Sequence, residues 1–215
     1  KMDSIEVDNQ KFKEDFPLEY ETWAETSDTT FESEFNGSQR KDVLAQRPEM
    51  AVLWAGYAFS WDYNTPRGHR HSLEDMREIL RTGAPGVTPG KEPQPGTCWT
   101  CKGPDVPRLM AEVGPAAFYQ AKWSDWGNQV MNTVGCSDCH DPKTMDLRPA
   151  RSALYEAWQR RGMDVNKASH QEMRSLVCAQ CHTEYYFQKG TNYLTFPQDS
   201  GMTVEAIEKY YDKIG

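Results

Sequence analysis

The 215-residue sequence has no apolar run near the ~18–20 residues that a membrane-spanning helix needs. Only 38% of its residues are hydrophobic and its mean hydropathy is −0.80, so side chains alone supply little material for a core. The chain also lacks an excess of positive charge. Its net charge of −8 argues against binding to nucleic acid or to an anionic membrane surface, while an anionic substrate could still bind in a local basic pocket.

The sequence has no cysteine left over for disulfide bonds, because all six lie in C-x-x-C pairs. The pairs are Cys98 with Cys101, Cys136 with Cys139, and Cys178 with Cys181. A zinc ribbon would use two pairs and leave the third over. Pairs of this kind could also form a disulfide framework, which is the second alternative to the haem sites described next.

Histidine follows the second and third pairs directly, as His140 and His182. This is the C-x-x-C-H pattern in which the cysteines bond covalently to haem and the histidine binds its iron. The cysteine motifs therefore predict three covalently attached haems c. In bacteria covalent haem attachment takes place outside the cytoplasm, so we expect a periplasmic protein.

The first pair carries Lys102 in the place of the histidine. A lysine must bind iron as a neutral amine, although its usual pKa is about 10.4. The alternative is that Lys102 merely follows the pair and that the haem is ligated elsewhere. We expect Lys102 to bind the iron, and the opposite face of that haem to be open to a small molecule.

Three histidines remain to serve as second ligands of the other haems. His69 and His71 lie in a glycine-containing loop from which either could reach a haem, although a lone histidine is more often an ordinary surface residue. His170 lies among polar residues, and we expect it to be solvated.

Other side chains near the motifs could complete a site. Arg108 could hold an anion near an open iron, although an arginine here is more often a surface charge and nearby prolines obscure its orientation. Glu184 and Tyr185 follow the third motif and could bind a hard cation and place a phenol near a substrate. The alternative for them is a capped helix end with packed tyrosines.

The helix and strand signals along the sequence predict a mainly α-helical fold with little β structure, organised around the haems. Residues 1–47 are polar and acidic and predict an extended arm, and residues 48–215 form the haem-bearing domain, with residues 50–57 buried. Helices are predicted over residues 147–161 and 204–214, the latter capped by Thr203. A strand is predicted over residues 193–196. A further helix begins at Ser72, ends near residues 83–85, and buries one face formed by Leu73, Met76, Ile79 and Leu80.

Seven segments carry a resemblance to a known family. They are residues 53–57, 62–64, 66–69, 81–85, 98–106, 135–140 and 178–187. Together they resemble the pentahaem cytochrome c nitrite reductases, the ammonia-forming enzymes of the bacterial periplasm. The lysine-bearing motif makes this resemblance specific.

The resemblance implies roles for five residues. Lys102 would be the proximal ligand of the catalytic haem, with Arg108 and Tyr185 in its distal pocket. Glu184 would bind a calcium ion beside that haem, and Tyr185 would supply a backbone carbonyl to the same ion. His69 would be the distal ligand of the third haem.

The resemblance also implies an activity and partners. Nitrite would be reduced to ammonia by six electrons, with the haems of His140 and His182 as electron relays. The protein would form a homodimer and receive electrons from a multihaem cytochrome, either quinol-linked in the membrane or soluble. The family's further haems, distal histidine and remaining calcium ligands belong to a C-terminal part that residues 1–215 do not include. A non-enzymatic electron-transfer protein and a related reductase of hydroxylamine or sulfite are the alternatives.

Overall fold

The computed structural model describes residues 5–34, 37–77, 79–82 and 94–214, apart from the side chains of Ala58 and Arg81. The described chain is mainly helical, as predicted, and its helices are mostly short. None of them is long and apolar enough to cross a membrane. The α-helices are Phe12–Asp15 (α1), Pro17–Glu25 (α2), Val43–Gln46 (α3), Glu74–Arg77 (α4), Asp105–Val113 (α5), Pro115–Gln120 (α6), Trp123–Trp126 (α7), Cys136–Cys139 (α8), Ser152–Arg160 (α9), His170–Ala179 (α10) and Val204–Ile214 (α11).

Single 3-10 turns and a small sheet connect these helices. The sheet pairs strands Tyr186–Phe187 (β1) and Leu194–Thr195 (β2) in antiparallel register, with Phe187 opposite Leu194. The predicted strand over residues 193–196 is confirmed in its central part. The 3-10 turns are Asn9–Lys11, Pro48–Trp54, Ala58–Ser60, His69–His71, Leu80–Thr82, Gly96–Trp99, Val165–Lys167 and Pro197–Ser200.

Two predicted helices are present, one with the predicted bounds and one with adjusted ends. Helix α11 has the predicted bounds, and the Thr203 hydroxyl accepts a hydrogen bond from the Ala206 amide at 3.3 Å. Helix α9 begins five residues later than predicted, at Ser152. The reason is that Leu147 pairs with His140 in an isolated β-bridge and Pro149 follows it, so this stretch is extended.

The helix predicted after Ser72 is shorter than expected. It consists of α4 and the turn Leu80–Thr82, and its expected end at residues 83–85 lies outside the described residues. Three members of the predicted face are buried, but Leu80 is exposed. The 3-10 turn explains this, because its tighter winding rotates Leu80 away from a face set by α-helical spacing.

Residues 50–57 are not buried as predicted. Val52, Leu53 and Tyr57 are 76%, 69% and 67% exposed. Their segment forms the 3-10 turn Pro48–Trp54, which directs these side chains outward. Trp54 is the residue of this segment that packs, with its ring centre 4.4 Å from that of Tyr63.

The main core surrounds Trp99, the residue after the first cysteine. Its fully buried ring stacks on Trp123 at 4.6 Å, and its indole N–H donates to the Trp123 carbonyl at 2.9 Å. Phe118 stacks on Trp126 at 5.1 Å within the same cluster. Helices α5, α6 and α7 thus pack around the first C-x-x-C segment and fix it from behind.

The N-terminal segment is partly helical, not extended throughout, and it packs on the second C-x-x-C segment. Buried Asn9 accepts a hydrogen bond from the Cys136 amide at 2.9 Å, and the Trp23 indole donates to the Val134 carbonyl at 2.8 Å. Gly135 allows this contact, because a Cβ there would overlap the Asn9 side chain. The domain boundary at residue 47 stays a prediction.

Candidate functional site: the cavity at Lys102

A cavity of about 880 Å³ opens beside the first C-x-x-C segment. Lys102, Cys98 and Tyr185 line it, so three of the predicted site residues lie together. Its wall is largely aromatic and apolar, which suits a flat ring system with few polar contacts. The other large apolar lining residues are Tyr57, Phe59, Trp61, Met76, Tyr186 and Phe187.

The main chain of Lys102 is held from two sides. Its amide donates to the Trp99 carbonyl at 3.0 Å, which closes the turn that began at Gly96. Its carbonyl accepts a hydrogen bond from the Ser72 hydroxyl at 3.2 Å. Ser72, which the sequence predicts as a helix cap, accepts in turn from the Val134 amide at 3.0 Å. The base of the lysine is therefore fixed, while its side chain lines the cavity.

Tyr185 and Glu184 lie where the third motif meets β1. The Tyr185 ring stacks on Phe187 with centres 5.7 Å apart, at the wall of the cavity. Glu184 accepts a hydrogen bond from the Tyr186 hydroxyl at 3.0 Å. A hydrogen bond with Glu184 also raises the pKa of Tyr211. The carboxylate of Glu184 is thus in contact with two phenols, those of Tyr186 and Tyr211.

Glu184 belongs to no cluster of metal-binding side chains in the described part of the chain. No group of three or more His, Cys, Asp or Glu there is arranged to hold a metal ion. Calcium usually takes six to eight oxygen ligands, and Glu184 supplies one carboxylate. Glu184 therefore fits calcium only together with further oxygen ligands, such as main-chain carbonyls.

Arg108 is not at this cavity, contrary to what the resemblance implies. It lies on α5, with its side chain 39% exposed, and donates to Glu112 at 2.9 Å and to Asp105 at 3.3 Å. It also donates to the Gln129 carbonyl at 3.2 Å. Helical spacing explains the placement, since residues three and four positions away on α5 share its face and carry the opposite charge.

His140 has the orientation expected of a metal ligand. Its Nδ1 lies 2.6 Å from the Met145 carbonyl, an acceptor, so the proton lies on Nδ1 and Nε2 carries the lone pair. Met145 adopts a left-handed conformation, with φ of 62°, that directs this carbonyl at the ring. Sequence reasoning missed Met145, because methionine carries no signal for that conformation.

His69 and His182 face each other. Their ring centres lie 6.2 Å apart. Two ring nitrogens that each bind one metal ion at about 2.0–2.1 Å place the ring centres roughly 6 Å apart. Burial and then the neighbouring positive charge of His182 lower the pKa of His69, which favours the neutral ring that binds metals. The pair therefore fits a haem iron between its rings.

The two other candidate histidines do not take part. His71 is held by protein partners on both ring nitrogens, with Nδ1 3.0 Å from Glu74 and Nε2 3.0 Å from the Ser27 carbonyl. His170 is exposed at the start of α10. Of the two alternatives that the sequence left open in the loop, the structure favours His69.

Arg81 is a basic residue near the cavity that sequence reasoning did not single out. It directly precedes Thr82, a cavity-lining residue, in the turn Leu80–Thr82. Its signal in the sequence is its place at the head of segment 81–85, one of those that carry the family resemblance.

The six cysteines lie in the three predicted pairs and form no disulfide bond, on a mainly helical framework with histidines oriented as ligands. These features define a multihaem c-type cytochrome. The chain belongs to the cytochrome c552 family, whose model matches residues 8–215.

Curated relatives support this membership. The chain is 59% identical over 213 residues to a cytochrome c-552 of Porphyromonas gingivalis and covers 43% of it, using 99% of its own length. It is 60% identical over 211 residues to a cytochrome c-552 of Bacteroides thetaiotaomicron, covering 98% of this chain and 43% of the relative. The chain thus spans less than half the length of these relatives.

The fold is shared with a solved enzyme. The chain is similar to the catalytic subunit of the cytochrome c nitrite reductase of Desulfovibrio desulfuricans, which has two calcium sites, with a TM-score of 0.84 and 31% identity. The match covers 98% of this chain and 47% of that chain. The prediction of a multihaem nitrite reductase fold is confirmed.

Proposed function

We propose that this protein is a haem-bearing cytochrome that reduces nitrite to ammonia at the haem bonded to Cys98 and Cys101. The observation that carries the proposal is that Lys102 and Tyr185 line one cavity of about 880 Å³ beside those cysteines. Family membership and the similarity to a nitrite reductase support it. Because the chain spans less than half of those proteins, the activity of the whole molecule is part of the proposal.

The haem supplies electrons and an iron that can bind nitrite. Lys102 would hold one face of it with a neutral amine. Tyr185, on the cavity wall, can donate a hydrogen bond to an anion oxygen and pass protons to it. Conversion of nitrite to ammonium consumes six electrons and eight protons and releases two waters, so a cavity open to water suits the reaction.

Nitrite also needs a positive charge near its oxygens. The placement of Arg108 on the outer face of α5 does not support that role for it. We propose Arg81 for the role from its place in the sequence, at the head of segment 81–85 and directly before the lining residue Thr82. A guanidinium can donate two parallel hydrogen bonds to an anion.

The other two motifs would carry relay haems. His140, oriented by Met145, would bind the second iron, and His182 with His69 would bind the third. An iron with histidine on both faces has no place for substrate, so the third haem suits electron transfer. The Lys102 haem would differ in having an open face.

Location, partners and calcium belong to the same proposal. Covalent haem attachment favours the periplasm, with electrons arriving from a quinol-linked or soluble multihaem cytochrome. A homodimer and a calcium ion at Glu184 and the Tyr185 carbonyl follow from the family resemblance. The ion would need additional oxygen ligands beyond this carboxylate and carbonyl.

Replacing the unusual ligand tests the proposal. In the haem-loaded protein we expect Lys102→His to keep the haem but to lower nitrite-dependent ammonium formation about 10–100-fold, because the ligand tunes the iron. The spectrum of the one haem that responds to nitrite or cyanide should change as well. Wild-type turnover with an unchanged spectrum would rule out Lys102 as the ligand.

Lys189→His is the matched control, since Lys189 is exposed next to the turn between β1 and β2. It should leave both turnover and spectrum unchanged. A wild-type protein with only low-spin haem and no response to nitrite would instead favour the electron-transfer alternative.

A further inference from the structure

The three C-x-x-C segments meet through the residue that precedes their second cysteine. These residues are Thr100, Asp138 and Gln180, and all three are buried. They differ in chemistry, with a hydroxyl in the first segment, a carboxylate in the second and an amide in the third. A single side chain, Arg151, lies among them.

Arg151 is fully buried and connects the first segment to the second. Its Nε donates to the Thr100 carbonyl, and its Nη2 donates to the Gly103 carbonyl at 3.1 Å. These two carbonyls flank Cys101 and Lys102 in the chain. The same Nη2 lies 2.5 Å from a carboxylate oxygen of Asp138. The positive charge is therefore held against the first segment.

The negative charge of the pair belongs to the second segment. Asp138 lies within α8, between Cys136 and Cys139, and its side chain is 2% exposed. Its second carboxylate oxygen accepts from the Gly135 amide at 2.8 Å. Both oxygens thus have partners, and the carboxylate stays beside the residues that would hold the second haem.

Gln180 keeps the pair in place from the third segment. Its side-chain carbonyl accepts from the Ala150 and Arg151 amides at 2.7 and 3.0 Å, and its NH₂ donates to the Asp138 carbonyl at 2.6 Å. The orientation of the ion pair is fixed by this bridge. A pair so deeply buried is screened little by solvent.

We propose that Arg151 and Asp138 form a fixed dipole that favours an electron on the Lys102 haem over the His140 haem. A positive charge near a haem stabilises the reduced iron, which carries one charge less, and a negative charge near a haem destabilises it. The pair would therefore raise the reduction potential at the first segment and lower it at the second. The inference rests on the proposed function, since it requires haems on both segments.

The electron step balances within the protein. One electron would leave the ferrous iron of the His140 haem, which would become ferric, and enter the ferric iron of the Lys102 haem, which would become ferrous. No proton or bond is exchanged in this step. The reductant is the external electron donor of the proposed function, and the final oxidant is nitrite.

Potentiometric titration of the haem-loaded protein tests the proposal, with the Lys102 haem followed by its ligand-sensitive spectrum and the haems counted by intact mass. Arg151→Gln should lower the potential of the Lys102 haem, and Asp138→Asn should raise that of the His140 haem. Each should lower the equilibrium constant for the electron step about tenfold, or about 59 mV for one electron. Arg151→Lys, which keeps the charge, should retain most of the wild-type difference.

The outcomes separate the two hypotheses. A wild-type protein without bound haem would refute the proposed function itself. If wild type carries its haems but either variant leaves the potential difference unchanged, or both shift every haem in the same direction, the dipole is refuted while the function stands. If Arg151→Gln does not fold, the other two variants decide the question: Asp138→Asn should raise the potential of the His140 haem, while Arg151→Lys should leave the potential difference close to that of wild type.

Discussion

Trp99 and Lys102 lie in the same turn of chain, yet they face opposite environments. Trp99 is fully buried between α6 and α7, and its ring stacks on Trp123. Lys102 lines an open cavity together with exposed aromatic residues such as Tyr57 and Trp61. The residues that hold the haem segments are thus separate from those that face a ligand. Substitutions on the two sides should therefore have different consequences.

The largest effect should come from the buried side. Trp99→Ala removes a fully buried indole from the main core and should lower the free energy of unfolding by about 3–5 kcal/mol. Denaturant unfolding measures this loss. Trp61→Ala is the matched control, because Trp61 is 61% exposed at the cavity wall and should cost far less. Equal losses for the two variants would contradict the separation of the two sides.

The next effect should come from the cavity side. Tyr185→Phe removes the phenol that we expect to donate to nitrite, and turnover should fall about 10²–10³-fold. Its unfolding free energy should change by no more than about 0.5 kcal/mol. Steady-state ammonium formation and thermal unfolding are the measurements.

Tyr193→Phe is the complementary control. The Tyr193 hydroxyl lies 3.0 Å from Glu156, and the residue packs against the core. Its loss should lower stability by about 1.5–3 kcal/mol, as for a hydrogen bond to a charged group, and leave turnover largely intact. A fall in turnover for Tyr193→Phe, with none for Tyr185→Phe, would contradict the assignment of the phenol.

Substitution of Arg81 and of Arg108 should have the smallest effects on nitrite turnover. Arg81→Gln should reduce nitrite turnover about 10–100-fold, the value of a hydrogen bond to a charged group. Arg108→Gln should change it less than about twofold, because its ion pairs with Glu112 and Asp105 lie on the outer face of α5. Nitrite-dependent turnover of both variants decides between them. A larger loss of turnover for Arg108→Gln than for Arg81→Gln would indicate that Arg108, not Arg81, contacts nitrite.

Local signals in the sequence predicted the parts of the fold that depend on nearby residues. The cysteine spacing identified the three C-x-x-C segments, and Thr203 identified the start of α11. The lysine of the first motif, predicted to lie beside an open site, does line a cavity. Each of these depends on residues a few positions apart, so a single sequence is sufficient.

Features that depend on distant contacts could not be predicted in this way. The spacing of Arg108 from Lys102 says nothing about which face of α5 it occupies, and Glu112 decides that. The outward direction of Leu53 depends on a 3-10 turn that its apolar neighbours do not signal. In the sequence Arg151 is indistinguishable from an ordinary surface charge, because its contacts with the C-x-x-C segments form only in the folded chain.

The hydrogen bond between Asn9 and Cys136 has a consequence for the order of folding. The two residues are 127 positions apart, so this contact is among the most non-local in the chain. Closing a long loop costs chain entropy before any contact compensates for it, and such contacts form late. We therefore expect the N-terminal turn to dock after the second C-x-x-C segment has formed. Until it docks, Cys136 would stay accessible for the covalent haem attachment of the proposed function.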